Sequence, residues 1–314
     1  MQKPRSTNSL ETPRFCGIPT FMRLPHTRDL DGVDAAIIGL PFDTGSPYRV
    51  GCRFGPREIR NISVLLRPIN PYHDIDVFEH LSVIDYGDAR IVPGDTLRSF
   101  EVMEEDLRPV VSAGIKPLCF GGDNSVSLSQ IRELGRHHGK ISLIHLDAHT
   151  DTWDDYLGLK HMSGSAYRRG VEEGWIDSAT SIQVGMRGSL FSREDIQQSV
   201  KLGYKLIHTD EMLEIGMVET ARRIKERVGD NKVFISIDMD VVDPAYAPGV
   251  QIPECGGPTA HNILTLLRNL GGVNVVGAEV MELNHLYDSG EITALLAATF
   301  GAELLALMAL NKRG

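Results

Sequence analysis

Residues 141–151 read ISLIHLDAHTD, an apolar run without alternation that breaks off into Asp147, His149 and Asp151 at two-residue spacing. A run of this kind is what a parallel strand covered on both faces looks like, because neither face needs polar residues for water. Seven further segments share the pattern: DAAIIGLPF, LSVIDYGD, KPLCFGG, SIQVGMRG, YKLIHTDEM, VFISIDMD and VNVVGAEVMEL. Amphipathic stretches of helix length, among them TLRSFEVMEEDLRPVVSAG and GMVETARRIKERVGD, lie between most of them. Strand and helix therefore alternate about eight times, which predicts an α/β fold around a mostly parallel sheet, open or closed into a barrel. Either form places chemistry at the carboxyl ends of the strands, where Asp147, His149 and Asp151 stand.

The 314 residues, 42% of them hydrophobic, suffice for one large core. We read a single domain over 31–314, preceded by an irregular N-terminal arm, 1–30, that packs on a neighbouring subunit or over the mouth of a site. A net charge of −10 leaves no basic patch for a phosphate backbone, which argues against nucleic acid as a partner. The four cysteines are scattered without CxxC spacing, as expected of reduced thiols in a cytoplasm. The start of the chain lacks the apolar core of a signal peptide. Residues 292–310, ITALLAATFGAELLALMAL, are long enough to cross a bilayer, but Glu303 and the many alanines favour a buried C-terminal helix over a membrane span.

A second strand, in VFISIDMDVVDP at 233–244, leaves its apolar run with Asp238, Asp240 and Asp243. In an extended chain residues i and i+2 share a side, so Asp147 can point with His149 and Asp238 with Asp240. Carboxylates gathered that closely repel unless one takes a proton or a cation joins them. Mixed oxygen and nitrogen donors suit a divalent transition ion better than an all-oxygen magnesium site. The bland alternative is that both motifs only cap their loops. A different class of function, an aspartate-nucleophile phosphotransferase with Asp238 as nucleophile, matches FISIDMDVV, but that pattern opens its domain and here it begins only at residue 234.

Taken together, PRFCGIPTFMRLP, IGLPFDTGSPYRVGCRFGPREIR, GGDNS, LDAHTD, QVGMRG, SIDMDVVDPAYAPG and EVMELN resemble the ureohydrolases, the arginase and agmatinase family, and the agmatinase branch more than arginase proper. The resemblance implies an arginase-like three-layer α/β/α fold with a mostly parallel eight-stranded sheet, assembled as a trimer or hexamer. It also implies a site for divalent metal, Mn or Ni, where water attacks a guanidinium carbon to release urea and an amine. Carried over by motif, Asp147 and Asp238 resemble bridging ligands, Asp151 and Asn124 ligands of the first metal, and His149 and Asp240 ligands of the second. Glu282 resembles the carboxylate that binds the substrate guanidinium.

Departures from the family pattern bear on the chemistry. Relatives have a His in GGDHS where this chain has Asn124, and an amide oxygen is a weaker donor than imidazole to such an ion. Ser163 replaces a His thought to shuttle protons, and a hydroxyl cannot titrate near neutrality, so general acid/base help worth about 10²–10⁴-fold is lost unless another group, His161 being the nearest, supplies it. PGVQIPE, 248–254, stands where relatives have small polar residues, and His285 where they have Pro. Trp153, Asp154 and Asp155 read as ordinary loop residues, His137, His138, His208 and His261 as surface or packed residues, and Arg49 and Arg53 as subunit-contact residues. The resulting expectation is a ureohydrolase-family subunit holding one or two ions per chain and catalytically impaired, supporting an active paralogue in a hetero-oligomer that hydrolyses a small or substituted guanidine or biguanide. The alternative is a self-sufficient binuclear enzyme of the agmatinase or guanidinobutyrase type.

Overall fold

Eight apolar runs become eight strands of one sheet in the computed structural model, which describes residues 6–313. In chain order the strands are β1 (Ala35–Leu40), β2 (Ile69–Asn70), β3 (Ile75–Asp76), β4 (Val83–Asp88), β5 (Lys116–Gly121), β6 (Ser142–Leu146), β7 (Ile182–Met186), β8 (Lys205–His208), β9 (Val233–Asp238) and β10 (Val275–Met281). The short β2 and β3 form a separate antiparallel pair. The others lie in the order β4-β1-β5-β10-β9-β6-β7-β8, and every neighbouring pair is parallel. The sheet is open, so the barrel form is not adopted.

The helices are α1 (Gly55–Ser63), α2 (Val77–His80), α3 (Thr96–Ser112), α4 (Ser127–His138), α5 (Ala166–Glu172), α6 (Glu194–Leu202), α7 (Thr209–Ile215), α8 (Met217–Val228), α9 (Ala260–Arg268) and α10 (Ile292–Arg313). They cover both faces of the sheet, giving the three-layer α/β/α architecture. Alternate residues of β1 show why the strand carries no polar periodicity. Ala35 and Ile37 pack with Ile59 of α1 and the apolar residues of α10, whereas Ala36 and Ile38 pack with Phe100, Met103 and Leu107 of α3.

The apolar C-terminal helix is a core element of this layer: 78% of its most hydrophobic window is buried. Its one acidic residue, Glu303, accepts hydrogen bonds from Arg268 Nε (2.8 Å) and Asn70 Nδ2 (2.8 Å). The end of the N-terminal arm packs on the chain itself. Residues 1–5 lie outside the described residues, and 6–19 are largely exposed, but Phe21 inserts into the chain's own core, 4.7 Å from Phe120 between ring centres. Its backbone N–H donates to Asp85 (2.9 Å), itself paired with Arg60 (2.9 Å). Phe21 thereby fastens the end of the arm to β4.

Order along the sheet decides where chemistry can occur. β5, β10, β9 and β6 are consecutive at its centre, so four loops leave their carboxyl ends side by side. Behind that edge, on the α4 and α5 side, lies Glu279 of β10, fully buried. It accepts hydrogen bonds from Gln130 of α4 and Tyr167 of α5 (3.4 Å), and the Tyr167 hydroxyl pairs with Ser236 of β9 (2.6 Å). Burial raises the Glu279 carboxyl from 4.5 to about 7, only partly offset by its hydrogen bonds. A raised folded-state pKa means that the folded chain holds this proton more tightly than the unfolded one. The associated stability is full below pH 4.5 and is lost as pH rises through 7, about 3 kcal/mol in all. Glu279→Gln removes the titration, so denaturant unfolding at pH 8 should show the variant more stable than the parent by a similar amount relative to the difference at pH 4.5.

Candidate functional site

The carboxyl end of β6 runs into Asp147, and that of β9 ends on Asp238, followed by a single 3₁₀ turn over Met239–Val241. Each aspartate turns one oxygen back on its own loop. Asp147 Oδ1 accepts from His149 N (2.5 Å), and Asp238 Oδ1 accepts from Asp240 N (2.8 Å). Asp123, after β5, does the same for Ser125 N (3.0 Å). Loop capping and site building are therefore two uses of one side chain. Asp147 and His149, and Asp238 and Asp240, converge through these turns rather than through the alternation of an extended strand.

His149 lies between the two loops. His149 Nδ1 lies 3.0 Å from Asp240 Oδ2 and 3.4 Å from Asp147 Oδ1. Asp240 Oδ1 accepts from Ala148 N (3.0 Å), which ties β9's turn to the loop after β6. Ligand atoms of Asp147, His149 and Asp240 lie within 4.8 Å of one another, as do those of His145, Asp147 and Asp151. His145 Nε2 is 2.7 Å from Asp147 Oδ2, and its Nδ1 is 3.0 Å from Gln183 Nε2. A buried imidazole that orients a ligand carboxylate in this way is a common support for a metal site.

Electrostatics follow from burial. Desolvation, then the neighbouring Asp240, pushes Asp147 up to about 8, while Asp123 rises to about 7 for want of water. Asp151, Asp238 and Glu282 are raised well above the usual carboxylate range, by burial first and then by the other carboxylates. Burial opposes charge on His149 too, but Asp240, Asp147 and Glu254 outweigh it and lift the imidazole well above its ordinary value. Asp240 gains from the same pairing: its carboxyl is held low by His149 against the cost of burial. So many buried carboxylates with the imidazoles of His145 and His149 among them make a donor set that fits a divalent cation, at least around Asp147, His149 and Asp240.

The Asn124 side is different. Gly122 lets the turn after β5 approach so closely that a Cβ there would stand 1.6 Å from Phe42 O, and this places Asn124 against the cluster. Its Nδ2 donates to Asp151 Oδ2 (3.0 Å) and to Asp238 Oδ2 (2.8 Å). The amide thus joins the two carboxylates assigned to the first metal. Its Oδ1 is buried without a hydrogen-bond partner among the described residues, so the ligand atom that the sequence reading relied on is turned elsewhere.

Glu282 lies one residue beyond β10 with φ of 66°, and Asp151 has φ of 50°. Non-glycine residues are rare in this left-handed region, and here the backbone itself aims both carboxylates into the site. Glu282 Oε1 accepts from Asn124 N (2.8 Å) and Oε2 from Gln251 Nε2 (2.7 Å), with Cys52 Sγ 3.5 Å from Oε2.

A cavity of about 400 Å³ opens over these residues. Ser163 lines it, together with His149, Asp151, Asp238, Asp240, Gln251 and Glu282. Trp153, Tyr156 and Phe191 form one wall, the first two stacked at 5.7 Å and Trp153 edge-on to Phe191 at 5.6 Å. Trp153 is therefore a wall residue and not the ordinary loop residue expected, while Asp154 turns outward to Arg169 (2.8 Å).

His161 is not brought to the cluster. Its ring lies 6.1 Å from Phe100 of α3, because the turn at 162–165 faces Ser163 inward and leaves the preceding residue behind. Asp243 also stays outside, accepting from Ala245 N (2.9 Å), Gly256 N (2.8 Å) and Gly257 N (2.9 Å). Arg53 pairs with Asp43 (2.6 Å), and Arg49 lies 4.2 Å over the Tyr287 ring, so both make contacts within the chain. Sequence reasoning missed His145, Cys52 and Arg187. The last donates to the backbone carbonyls of Asp240 (2.7 Å), Val241 (2.9 Å) and Glu254 (2.8 Å), bracing the loops after β9. An Arg directly after a strand was the available signal.

This combination of sheet order and strand-end carboxylates has known counterparts. The arginase family profile matches residues 33–307. A guanidinopropionase of Pseudomonas aeruginosa is 41% identical over 98% of this chain and 96% of its own length. A guanidinobutyrase of the same species is 37% identical over 95% and 94%. Among solved structures, proclavaminate amidino hydrolase from Streptomyces clavuligerus superposes with a TM-score of 0.91 at 37% identity, covering 95% of this chain and 99% of that one. The chain belongs to the arginase family.

The Asn124 amide answers Asp151 and Asp238 from within the chain. Asn124→Ala should lower the unfolding free energy of metal-stripped protein by about 2 kcal/mol in urea titrations, since two buried acceptors lose their donor. Asn124→Asp, adding a further buried carboxylate, should cost more than Asn124→Ala.

Proposed function

We propose that this chain is a catalytically impaired supporting subunit of a cytoplasmic amidinohydrolase, assembled as a trimer or hexamer with an active paralogue. The reaction of that assembly is hydrolysis of a guanidino C–N bond to urea and an amine. The observation that carries the reading is the pair of hydrogen bonds from Asn124 Nδ2 to Asp151 and Asp238, which supports it because an N–H₂ donor faces two carboxylates read as first-metal ligands. Ser163 adds to it. It lines the cavity but cannot take up or release a proton near neutrality, and the imidazole that shares the lining, His149, is itself read as a metal ligand.

The second-metal residues Asp147, His149, Asp238 and Asp240 remain able to hold one divalent ion, Mn²⁺ or Ni²⁺, and when bound such an ion supplies Lewis acidity. The chain's own contributions are distinct from it. His145 lies against Asp147, Arg187 braces the Asp240 turn, Glu282 sets its carboxylate at the position read as the guanidinium seat, and Trp153, Tyr156 and Phe191 give that end an aromatic wall. The cavity lining favours a small or N-substituted guanidine or biguanide over one with an acidic tail. Its one guanidinium, Arg187, is occupied by backbone carbonyls, while Trp153, Tyr156, Phe191 and Ile252 offer apolar contact to substituents.

The completeness of the second ligand set supports the alternative, a self-sufficient enzyme of the agmatinase or guanidinobutyrase type. Metal analysis and a urea-release assay on the isolated chain separate the two. About one tightly held ion per chain and no urea are expected, and Asn124→His should bring the count to about two. Urea release by the unmodified chain alone, at a rate that scales with added metal, overturns the supporting-subunit reading.

A further inference from the structure

The loop 248–252 carries Val250, Gln251 and Ile252 beside Glu282, and its backbone is firmly placed. Val250 pairs antiparallel with Leu283, Asn284 N donates to Gly249 O (2.8 Å), and Gly249 N donates to Thr293 Oγ1 (2.9 Å). Arg49 Nη1 reaches Val250 O at 3.3 Å. These contacts hold residue 251 directly over Glu282, whichever side chain it carries. Here it is a glutamine with 2% exposure, beside a glutamate with 4%.

We propose that Gln251 is a gating residue which fills the guanidinium seat of Glu282 and so weakens the binding of guanidinium ligands at this chain's site. The inference rests on the reading of Glu282 as the guanidinium-binding carboxylate and does not depend on whether the chain turns substrate over.

Counting acceptors gives the reason. A guanidinium binds a carboxylate best as a fork, with one N–H to each oxygen. Glu282 Oε2 already accepts from Gln251 Nε2 at 2.7 Å and has the Cys52 thiol at 3.5 Å, while Oε1 accepts from Asn124 N at 2.8 Å. A carboxylate oxygen has two lone-pair positions, so the Oε2 half of the fork is filled from within the chain. Gln251 Oε1 is buried without a partner among the described residues, which marks the carboxamide as held by its donor end alone. An entering guanidinium must break the Gln251 bond and leave that N–H without a partner in a dry site. The penalty corresponds to about a 10- to 100-fold loss of affinity.

The arrangement parallels Asn124. On one side of the cluster an amide N–H₂ stands between carboxylates where a cation is expected, and on the other a second amide N–H₂ stands on the carboxylate where a cationic ligand is expected.

Binding of methylguanidinium chloride to the full-length chain, measured by calorimetry, tests the proposal. Gln251→Gly and Gln251→Ala should each bind at least about tenfold more tightly than the parent. Adding Glu282→Gln to either should return affinity to the parent's level. A folded Gln251→Gly or Gln251→Ala protein within about threefold of the parent overturns the proposal, as does a gain that survives Glu282→Gln. Should neither small variant fold, the parent decides alone. No heat at millimolar methylguanidinium is the expected result, and a Kd below about 1 mM overturns the gate. Urea release is a separate readout: tight binding without urea leaves the gate standing, and urea from the unmodified chain bears on the proposed function.

Discussion

Repulsion among buried carboxylates is the constraint that organises this molecule. The order of the sheet sets four strand ends side by side, and Asp123, Asp147, Asp151, Asp238, Asp240 and Glu282 all face the interior there, each less than a tenth exposed. In a low-dielectric interior such a group must be answered by cations, protons or hydrogen-bond donors. This chain uses the His149 imidazole, a set of backbone N–H groups and two side-chain amides. Each answer depends on close backbone approach. A Cβ on Gly122 would collide with Phe42 O, and one on Gly185 would meet Asp147 O at 2.7 Å at a residue whose φ is 109°. Glycine at these points is what lets the loops crowd together.

The layers behind the site serve the same end. Apolar residues on both faces of the central strands leave no room for their ends to drift, and Arg187 fastens the turns after β9 through three carbonyls. Glu279 is the exception, a carboxylate kept in the sheet's interior among Gln130, Tyr167 and Ser236. Tyr167 packs its ring 4.2 Å from His145, and His145 in turn meets Asp147, so the buried polar patch of β10 is mechanically continuous with the site.

Much of this was legible in the sequence, for identifiable reasons. Non-alternating runs such as ISLIHL could only be parallel strands covered on both sides, and polar residues at their ends had to be together once the strands were. The Asp147–His149 and Asp238–Asp240 pairings were anticipated from extended geometry, although tight turns produce them. What the sequence did not reveal depends on distances between segments far apart in the chain. Gln251 meets Glu282 only because Val250 pairs with Leu283, and Trp153 becomes a wall only because Phe191 comes from another loop. His161 misled through mere proximity to Ser163: neighbours in a tight turn face opposite ways. His145 sits inside its strand, where nothing in the sequence distinguishes it from a packed core residue.

The amides at positions 124 and 251 also bear on how the protein receives a cation. Many metal sites stay loose until the ion arrives, so that binding and ordering are one event. Here internal donors meet Asp151, Asp238 and Glu282, so these three carboxylates have partners within the chain. An arriving cation trades places with an N–H group instead of condensing a disordered segment, so its binding carries little change in heat capacity or outline.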